Sequence, residues 1–331
     1  MATNKKRVLV SETLTPNARA LLDSRDDVET IVFTHLLTGA DFQKLVAEHA
    51  PVAGFALGAT RISNEELDAA QQPLVVARIG VGFDAIDIPA LNARSLPLMT
   101  AGTANSPSVA EQAMFMMLTL AKRAQELHHV VTDNRWTDRL KAVPFDLFEK
   151  SVLVIGFGRI GTRTAKRCAA MDMQVMVYDP YKSADEILAA GYEPVDDLDA
   201  AVARADFISV HCPKNAETIN MFDAARIGRM RPTAYLVNTA RGGIVDEAAL
   251  HKALTSGQIA GAGLDVFAKE PVDADNPLLK LDNVITSPHM AGVTREALER
   301  MSITTAQNIL SVFDGKPNKD NCVNKEVLEG K

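Results

Sequence analysis

The chain of 331 residues is long for a single hydrophobic core, so two domains of ordinary size are expected. Hydrophobic residues make up 47% and charged residues 23%, which is the composition of a soluble globular protein. A net charge of −7 argues against nucleic acid or an anionic membrane as the main partner.

Apolar, strand-like runs alternate with helix-like segments through the first hundred residues. The runs lie at 8–10, 28–33, 52–57, 74–79 and 96–99, and helical spacing lies at 17–22, 41–49, 64–70 and 88–94. Such alternation predicts a parallel sheet covered on both faces. This first part is therefore expected to be an α/β domain, without a glycine fingerprint after its first strand.

A long helix is predicted to begin at Ser106, with Pro107 in its first turn and Glu111 as an early acid. Residues 113–121 are apolar on nearly every side, which is typical of a buried helix. We expect this helix to lie between two domains. A polar stretch, 133–146, follows it.

The segment 151–179 has the pattern of a dinucleotide-binding unit. A buried strand at 152–155 leads into the complete G-x-G-x-x-G of residues 156–161, and a helix to about residue 171 follows. Gly156 permits the tight turn, Gly158 lets backbone approach the pyrophosphate, and Gly161 lets helix and strand pack closely.

A second strand at 175–178 ends on Asp179, near the offset at which a carboxylate accepts the ribose 2′-hydroxyl. Such a carboxylate would repel a 2′-phosphate. The sequence therefore predicts NAD rather than NADP, although Lys182 nearby leaves NADP open.

Further strands are predicted at 206–210, 234–238, 260–266 and 283–286, again separated by helix-like runs. Residues 295–313 are predicted to form an amphipathic helix that returns to the first domain, and the last dozen residues are expected to be loose. In doubly wound sheets, ligands bind beyond the carboxyl ends of the strands. Four of these ends carry chemistry-bearing residues: 211–213, 238–243, 264–271 and 287–292.

The segments GFGRIG, NTARGGIVDE, GAGLDVFAKEP and SPHMAG, in this order and spacing, resemble the D-specific 2-hydroxyacid dehydrogenase family, as do RIGVGFDAID and TANSPSVAEQ in the first half. The resemblance implies two doubly wound parallel-sheet domains, a flavodoxin-like substrate domain and a Rossmann NAD-binding domain, with the active site in the cleft between them. It implies that residues 1–103 and 294–331 form a discontinuous substrate domain and residues 104–293 the NAD-binding domain. NAD (NADH) as cofactor and a homodimer are also implied. The chain stops after the returning helix, so the appended regulatory domain of some serine-pathway members is not expected.

Three catalytic residues follow from the resemblance. Arg241 matches the substrate-binding arginine, whose guanidinium would hold the carboxylate by two hydrogen bonds and polarise the 2-oxo group. His289 matches the acid/base histidine. Glu270 matches its carboxylate partner, which favours the protonated imidazole.

The resemblance also assigns binding residues. Val81 and Gly82 would bind the substrate carboxylate through their backbone N–H groups, together with Arg241 and His289. Asp265 would hold the nicotinamide carboxamide. The predicted cofactor-binding set is Gly156, Gly158, Arg159, Ile160, Gly161, Tyr178, Asp179, Pro180, His211, Cys212, Pro213, Thr218, Thr239, Ala240, Arg241, Asp265, His289 and Gly292.

The substrate hypothesis depends on Leu57 and Gly58, which stand where phosphoglycerate-type relatives have Arg-Ser. The missing arginine favours a small polar 2-oxo acid such as glyoxylate or hydroxypyruvate, reduced to its D-2-hydroxy acid. A D-3-phosphoglycerate or other doubly anionic acid dehydrogenase stays open, because Arg61, Arg78 or a partner subunit could supply the charge. A third hypothesis is a non-enzymatic, NAD-sensing, co-repressor-like protein of the same fold.

Cys168, Cys212 and Cys322 are an odd, scattered set without a C-x-x-C, which predicts neither a disulfide framework nor a metal site. Val8-Leu9-Val10 is too short for a signal-peptide core, and no run approaches a membrane span. We therefore expect a cytoplasmic protein with reduced thiols.

Overall fold

A computed structural model describes residues 5–329 of the chain. The backbone divides into two compact units, and the chain passes between them at Asn105/Ser106 and at Gly292/Val293. One unit is therefore built from two separate stretches of sequence, while the other is continuous.

The first unit is built on a five-stranded parallel sheet. Its strands are β1 (Lys6–Ser11), β2 (Val28–Phe33), β3 (Val52–Leu57), β4 (Val75–Arg78) and β5 (Leu98–Met99), in the order β2-β1-β3-β4-β5. The helices between them are α1 (Pro16–Asp23), α2 (Gly39–Glu48), α3 (Asn64–Ala69) and α4 (Ile88–Asn92). This strand order is the flavodoxin-like one, as expected from the resemblance.

The second unit begins with two helices, α5 (Ser106–Ala121) and α6 (Ala124–Thr132), followed by a 3-10 turn at Trp136–Leu140. Helix α6 was not predicted, and the 3-10 turn lies within the stretch predicted only to be polar. Arg123, directly before α6, has a left-handed φ of +47° and no capping side chain, so the usual start signal is missing.

A seven-stranded parallel sheet forms the rest of the second unit. Its strands are β6 (Ser151–Ile155), β7 (Gln174–Tyr178), β8 (Glu193–Pro194), β9 (Phe207–Val210), β10 (Tyr235–Asn238), β11 (Gly261–Leu264) and β12 (Val284–Thr286). The strands lie in the order β12-β11-β10-β9-β6-β7-β8. The chain adds β7 and β8 on one side of β6 and then β9 to β12 on its other side, as in a doubly wound sheet. The predicted pair of parallel-sheet α/β domains is thereby confirmed.

Five helices connect these strands: α7 (Gly161–Ala170), α8 (Ala184–Ala189), α9 (Leu198–Val202), α10 (Ala224–Ile227) and α11 (Glu247–Thr255). Helix α5 packs against β10, β11 and α7. Gly263 in β11 makes this packing close, because a Cβ there would lie 2.9 Å from the Cβ of Met116.

The chain then returns to the first unit as α12 (Arg295–Phe313), which packs on β3, β4, β5 and α1. Thr294 caps its start by accepting the N–H of Ala297 at 3.0 Å. Among the described residues, no helix is long and apolar enough to cross a membrane.

The expectation of loose C-terminal residues is wrong for the part that the structure describes, 320–329. Asn324 is buried, and its side chain accepts the N–H of Leu98 at 2.8 Å and donates to the carbonyl of Leu96 at 2.9 Å. Cys322 is buried beside it, and its backbone pairs with that of Met99 in an isolated antiparallel β-bridge. These side-chain bonds complete the edge of the sheet at β5 and hold the segment in place. Residues 330 and 331 lie outside the described part of the chain.

Candidate active site

The glycine loop joins β6 to α7 in the second unit. Gly156 has a φ of +90°, and a Cβ there would lie 2.8 Å from the backbone nitrogen of Cys212. A Cβ at Gly161 would lie 1.8 Å from the carbonyl oxygen of Gly156, so only glycine allows this contact. By contrast, a Cβ at Gly158 would meet no atom within 4 Å. The loop is therefore closely packed at Gly156 and Gly161 and open at Gly158, where the backbone would approach the pyrophosphate.

Asp179 follows β7 and lies against the same loop. Its carboxylate accepts the N–H of Phe157 at 2.7 Å and the N–H of Tyr181 at 2.9 Å. The carbonyl of Tyr178 accepts the N–H of Gly156 at 2.8 Å, which ties the two strand ends together. A carboxylate has about four lone-pair sites, so two remain for ribose hydroxyls. Pro180 is exposed beside it, as is Arg159 at the start of α7, and Ile160 is half-buried.

The loop after β9 brings four predicted cofactor residues next to the glycine loop. Burial lowers the pKa of His211 to about 3, so its imidazole is neutral. Its Nε2 lies 2.9 Å from the hydroxyl of Ser209, and its Nδ1 has no hydrogen-bond partner among the described residues. Burial likewise raises the pKa of the Cys212 thiol to about 11. Thr218 is buried and donates to the carbonyl of Pro213 at 2.7 Å.

Residues 238–243 form the turn after β10 that carries Arg241. Asn238 shapes the turn, because its side chain donates to the carbonyl of Arg241 at 2.9 Å and accepts the N–H of Ala240 at 3.0 Å. Arg241 Nη1 donates to the carbonyl of Ala240 at 2.8 Å, which orients the guanidinium. Thr239 Oγ1 is buried and has no hydrogen-bond partner within residues 5–329.

His289 and Glu270 form a hydrogen-bonded pair. His289 Nδ1 donates to Glu270 Oε2 at 2.7 Å, and Glu270 Oε1 accepts the N–H of Phe267 at 3.0 Å. A Cβ at Gly242 would lie 1.7 Å from the carbonyl oxygen of Phe267, so the arginine turn packs directly against the segment that holds Glu270. The three predicted catalytic residues thus lie on adjoining segments of the second unit.

Asp265 orders the loop that carries His289. It is 1% exposed, and its carboxylate accepts the hydroxyl of Ser287 at 2.5 Å and the N–H groups of Met290 and Ala291 at 2.8 and 2.9 Å. Its carbonyl accepts the N–H of His289 at 2.7 Å. His289 has a φ of +55°, a conformation that non-glycine residues keep only when their surroundings fix it.

The predicted carboxamide role of Asp265 stays a prediction, because the structure commits this carboxylate to three protein donors. Ser287 was assigned no role, although a hydroxyl directly after a strand is a signal for such a contact. Gly292, also predicted to bind cofactor, is half-buried at the end of the same loop.

Val81 and Gly82, the predicted substrate-binding pair, lie half-buried in the loop after β4 of the first unit. Arg78 Nε donates to the carbonyl of Gly82 at 3.1 Å. The carbonyl of Gly80 accepts the N–H of Ala101 at 2.8 Å, so the loop is held at both ends. Whether these amides bind substrate stays a prediction.

Leu57 and Gly58, on which the substrate hypothesis depends, end β3 in the first unit. Leu57 is fully buried in the core, and a Cβ at Gly58 would lie 3.0 Å from the hydroxyl of Thr13. Neither residue supplies a charge at this turn. Arg61, three residues on, is exposed.

The residues of the second unit fit a bound dinucleotide. Two buried polar atoms, His211 Nδ1 and Thr239 Oγ1, lack partners within the described residues and follow neighbouring strands, β9 and β10. Buried polar groups are normally hydrogen-bonded, so both atoms are suited to hydrogen-bond a bound dinucleotide. Gly158 leaves open space, and the Asp179 carboxylate retains acceptor capacity. For residues 5–329, no group of three or more His, Cys, Asp or Glu residues could hold a metal ion.

Comparison with known proteins adds to this geometry. Residues 114–291 match the family model described as D-isomer specific 2-hydroxyacid dehydrogenase, NAD binding domain. D-3-phosphoglycerate dehydrogenase of Archaeoglobus fulgidus is 40% identical over 270 residues, which cover 82% of this chain and 51% of the relative. Glyoxylate reductase of Thermofilum pendens is 37% identical over 273 residues, covering 81% of this chain and 80% of the relative.

A solved structure of a protein from Thermus thermophilus is similar throughout, with a TM-score of 0.86 and 31% identity. The match covers 96% of this chain and 99% of that chain. The chain spans about half the length of the curated phosphoglycerate dehydrogenases that it matches.

Proposed function

The chain belongs to the D-isomer specific 2-hydroxyacid dehydrogenase family and carries its NAD binding domain, and from this premise we propose that it is an NAD-dependent oxidoreductase. It interconverts a 2-oxo acid and its D-2-hydroxy acid. The observation that carries the proposal is the 2.7 Å pair of His289 and Glu270 on a loop fixed by Asp265. Such an arrangement supplies a positioned proton donor and acceptor.

His289 moves the proton. Because Nδ1–H is donated to Glu270, Nε2 is the nitrogen available to the substrate oxygen. In reduction, Nε2–H protonates the oxygen that becomes the hydroxyl, and in oxidation Nε2 removes that proton. The Glu270 anion stabilises the imidazolium in both directions. When bound, NADH supplies the hydride to C2 of the 2-oxo acid.

Arg241 binds the substrate carboxylate. Its guanidinium carries five N–H donors in a planar fork, and Nη1 donates to the carbonyl of Ala240. The fork matches a carboxylate bidentately and also withdraws electron density from the adjacent 2-oxo group. The N–H groups of Val81 and Gly82 are proposed to bind the same carboxylate.

Several residues bind the dinucleotide in this proposal. The glycine loop and the start of α7 take the pyrophosphate, and Asp179 takes the ribose hydroxyls. His211 Nδ1 and Thr239 Oγ1 gain the hydrogen-bond partners that they lack within the described residues. We assign the remaining residues of the predicted cofactor set to the same carboxyl edge of the sheet.

The proposed substrate is a small polar acid such as glyoxylate or hydroxypyruvate. The absence of a cation at Leu57 and Gly58 supports it, as does the likeness to a glyoxylate reductase over most of both chains. D-3-phosphoglycerate is the second candidate, favoured by the names of several similar relatives. The co-repressor-like alternative is not favoured, because these relatives are named as dehydrogenases and reductases.

We also propose a cytoplasmic homodimer. The three cysteines are free thiols, which suits a reducing compartment. Six large apolar side chains are exposed within residues 115–148 of the second unit, and a partner subunit would cover them. They are Phe115, Val131, Trp136, Leu140, Val143 and Phe148. Light scattering of the purified protein measures the mass, and a monomer at micromolar concentration would contradict the proposal.

Loss of NADH absorbance against a panel of 2-oxo acids tests the activity. The panel contains glyoxylate, hydroxypyruvate, phosphohydroxypyruvate, pyruvate and oxaloacetate. We expect the highest kcat/KM for glyoxylate or hydroxypyruvate. A preference for phosphohydroxypyruvate would replace the first substrate class by the second, and binding of NADH without turnover of any acid would refute the catalytic proposal.

A further inference from the structure

A hydrogen bond links two loops on either side of the glycine loop. Tyr181 Oη donates to Glu217 Oε2 at 2.6 Å. Tyr181 lies in the loop after β7, and Glu217 lies in the loop after β9. Because β6 lies between β9 and β7 in the sheet, this bond spans the carboxyl end of β6, where the glycine loop begins.

The Tyr181 end of this bond is anchored at the ribose site. Its N–H donates to Asp179 Oδ1 at 2.9 Å, while Asp179 Oδ2 accepts the N–H of Phe157 in the glycine loop. A turn closed by Lys182 N–H to the carbonyl of Asp179, at 3.2 Å, holds the segment. The tyrosine backbone and the predicted ribose-binding carboxylate are therefore in direct contact.

The Glu217 end is held by a turn of its own. Asn215 Oδ1 accepts the N–H groups of Glu217 and Thr218 at 2.9 and 3.1 Å. Thr218 Oγ1 donates to the carbonyl of Pro213 at 2.7 Å, within the predicted adenosine-binding segment. The position of the Glu217 carboxylate is thus set by both its backbone and the tyrosine hydroxyl.

The pair carries an uncompensated negative charge. Glu217 makes no ion pair with any described residue, and the nearby Lys182 ammonium is paired with Glu186 at 3.0 Å. The pKa of the Tyr181 phenol is raised, first by its hydrogen bond to Glu217 and further by the charges of Glu217 and Asp179. The phenol therefore lies in the field of both carboxylates.

We propose that Glu217, held in place by Tyr181, is a second residue that selects NAD over NADP. The inference rests on the proposed NAD-dependent function and extends its ribose site. NAD presents a neutral 2′-hydroxyl to Asp179, whereas NADP presents a phosphate dianion at the same place. That dianion would meet the charge of Glu217 in addition to that of Asp179.

The expected size of the effect follows from Coulomb's law. If the Glu217 carboxylate and the 2′-phosphate are taken as about 8 Å apart in water, the unit charge changes the affinity of the dianion roughly fivefold at low ionic strength. The pair is solvent-exposed, with Tyr181 74% exposed, so salt should reduce the effect strongly. The charge of Glu217 is thus expected to add to the selectivity of Asp179 without replacing it.

Displacement of bound NADH by NAD and by NADP, followed through NADH fluorescence, measures the selectivity directly. Glu217→Gln removes the charge and keeps an acceptor for the tyrosine hydroxyl, while Tyr181→Phe removes the hydroxyl and keeps the charge. The matched control is Asp172→Asn, at the opposite end of β7, where φ is +58° and asparagine is tolerated. It also removes one negative charge, but seven residues from Asp179 along the strand, about 23 Å at about 3.3 Å per residue, where the Coulomb energy is roughly a third of that at 8 Å.

We expect Glu217→Gln to lower the ratio of the NADP to the NAD dissociation constant roughly fivefold at low salt, and less than twofold near 0.5 M salt. Tyr181→Phe should lower the ratio by a smaller factor, because the freed carboxylate moves into solvent. Asp172→Asn should change the ratio by less than twofold at low salt.

Two results would overturn the inference while leaving the proposed function intact. One is an unchanged ratio in Glu217→Gln, and the other is an equal loss of NAD and NADP affinity, which would indicate a contact with the shared part of the cofactor. A wild-type protein that binds no NADH would instead refute the proposed function itself.

Discussion

Replacement of Asp265 by asparagine tests how the loop of His289 is ordered. In the wild type, Oδ1 accepts from Ser287 and Met290, and Oδ2 accepts from Ala291. An asparagine can place its oxygen at the Oδ1 position, but its NH2 group then faces the N–H of Ala291. A buried donor loses its acceptor, and two charge-assisted bonds become neutral ones.

The magnitude follows from these contacts. Leaving a buried N–H unsatisfied costs about 1–3 kcal/mol, and weakening the other two bonds adds about 1 kcal/mol. The left-handed backbone of His289, at φ +55°, is itself unfavourable by about 1 kcal/mol or more and relaxes when the loop loosens. A net shift of about 3 kcal/mol lowers the equilibrium ratio of ordered to disordered loop about a hundredfold. We therefore expect kcat to fall, by up to about that factor.

Stopped-flow oxidation of bound NADH by the best 2-oxo acid measures the chemical step, and NADH fluorescence measures binding. Asp282→Asn is the matched control, because Asp282 is exposed just before β12, the strand that leads into the same loop. We expect Asp265→Asn to slow the chemical step with little change in the NADH dissociation constant, and the control to change neither.

The opposite pattern would refute this reasoning. If Asp265→Asn kept kcat within threefold of the wild type while NADH bound tenfold more weakly, the carboxylate would act on the nicotinamide, as the family resemblance implies. The same pair of measurements thus separates the two roles of one residue.

Four further predictions concern other parts of the chain. His289→Ala should lower kcat by at least a hundredfold with NADH affinity unchanged, and weaker NADH binding with normal turnover would contradict its acid/base role. Asp179→Ala should reduce the NAD over NADP preference by at least tenfold in the displacement assay, and an unchanged preference would remove it from the ribose site. At pH 8 the pKa of about 11 leaves roughly one Cys212 thiol in a thousand ionised. Iodoacetamide should therefore label Cys212 slowly in the folded protein and fast in urea. Fast labelling of Cys212 in the folded protein would contradict its burial. Asn324→Ala should lower the free energy of unfolding by about 2–4 kcal/mol in urea titrations, because the N–H of Leu98 and the carbonyl of Leu96 lose their hydrogen-bond partner. A change below about 1 kcal/mol would show that the C-terminal segment contributes little to stability.

The two parallel sheets could be predicted from sequence because buried parallel strands read as short, continuous apolar runs. β3 and β9 are buried at every position and were found at nearly the observed limits. Helix α6 could not be found in this way, since only Val130 of its nine residues is buried and its start has no cap. The prediction for the C-terminal segment was also wrong. From sequence, Asn324 is indistinguishable from a polar surface residue, because its hydrogen bonds to the backbone of Leu96 and Leu98 are visible only in the fold.

The site shows the same limit. The glycine loop could be predicted because its constraint is local: Gly156 and Gly161 touch within one turn. The hydrogen bonds of Asp265 reach residues 22 to 26 positions away, and that of Tyr181 reaches 36 positions. A short sequence motif does not indicate hydrogen bonds between residues this far apart in the chain. These segments could therefore be predicted from sequence, but not the hydrogen bonds that connect them.

The division of the chain also bears on how the protein is made. The first unit needs α12 and residues 319–328 to cover β5, whereas Ser106–Gly292 form one continuous compact unit. Chains emerge from the ribosome N-terminus first, at about 5–20 residues per second. Residues 5–105 therefore leave the exit tunnel about ten seconds or more before α12, and until then the part of their sheet that α12 covers stays exposed. The continuous second unit therefore has all of its residues available before the first unit does.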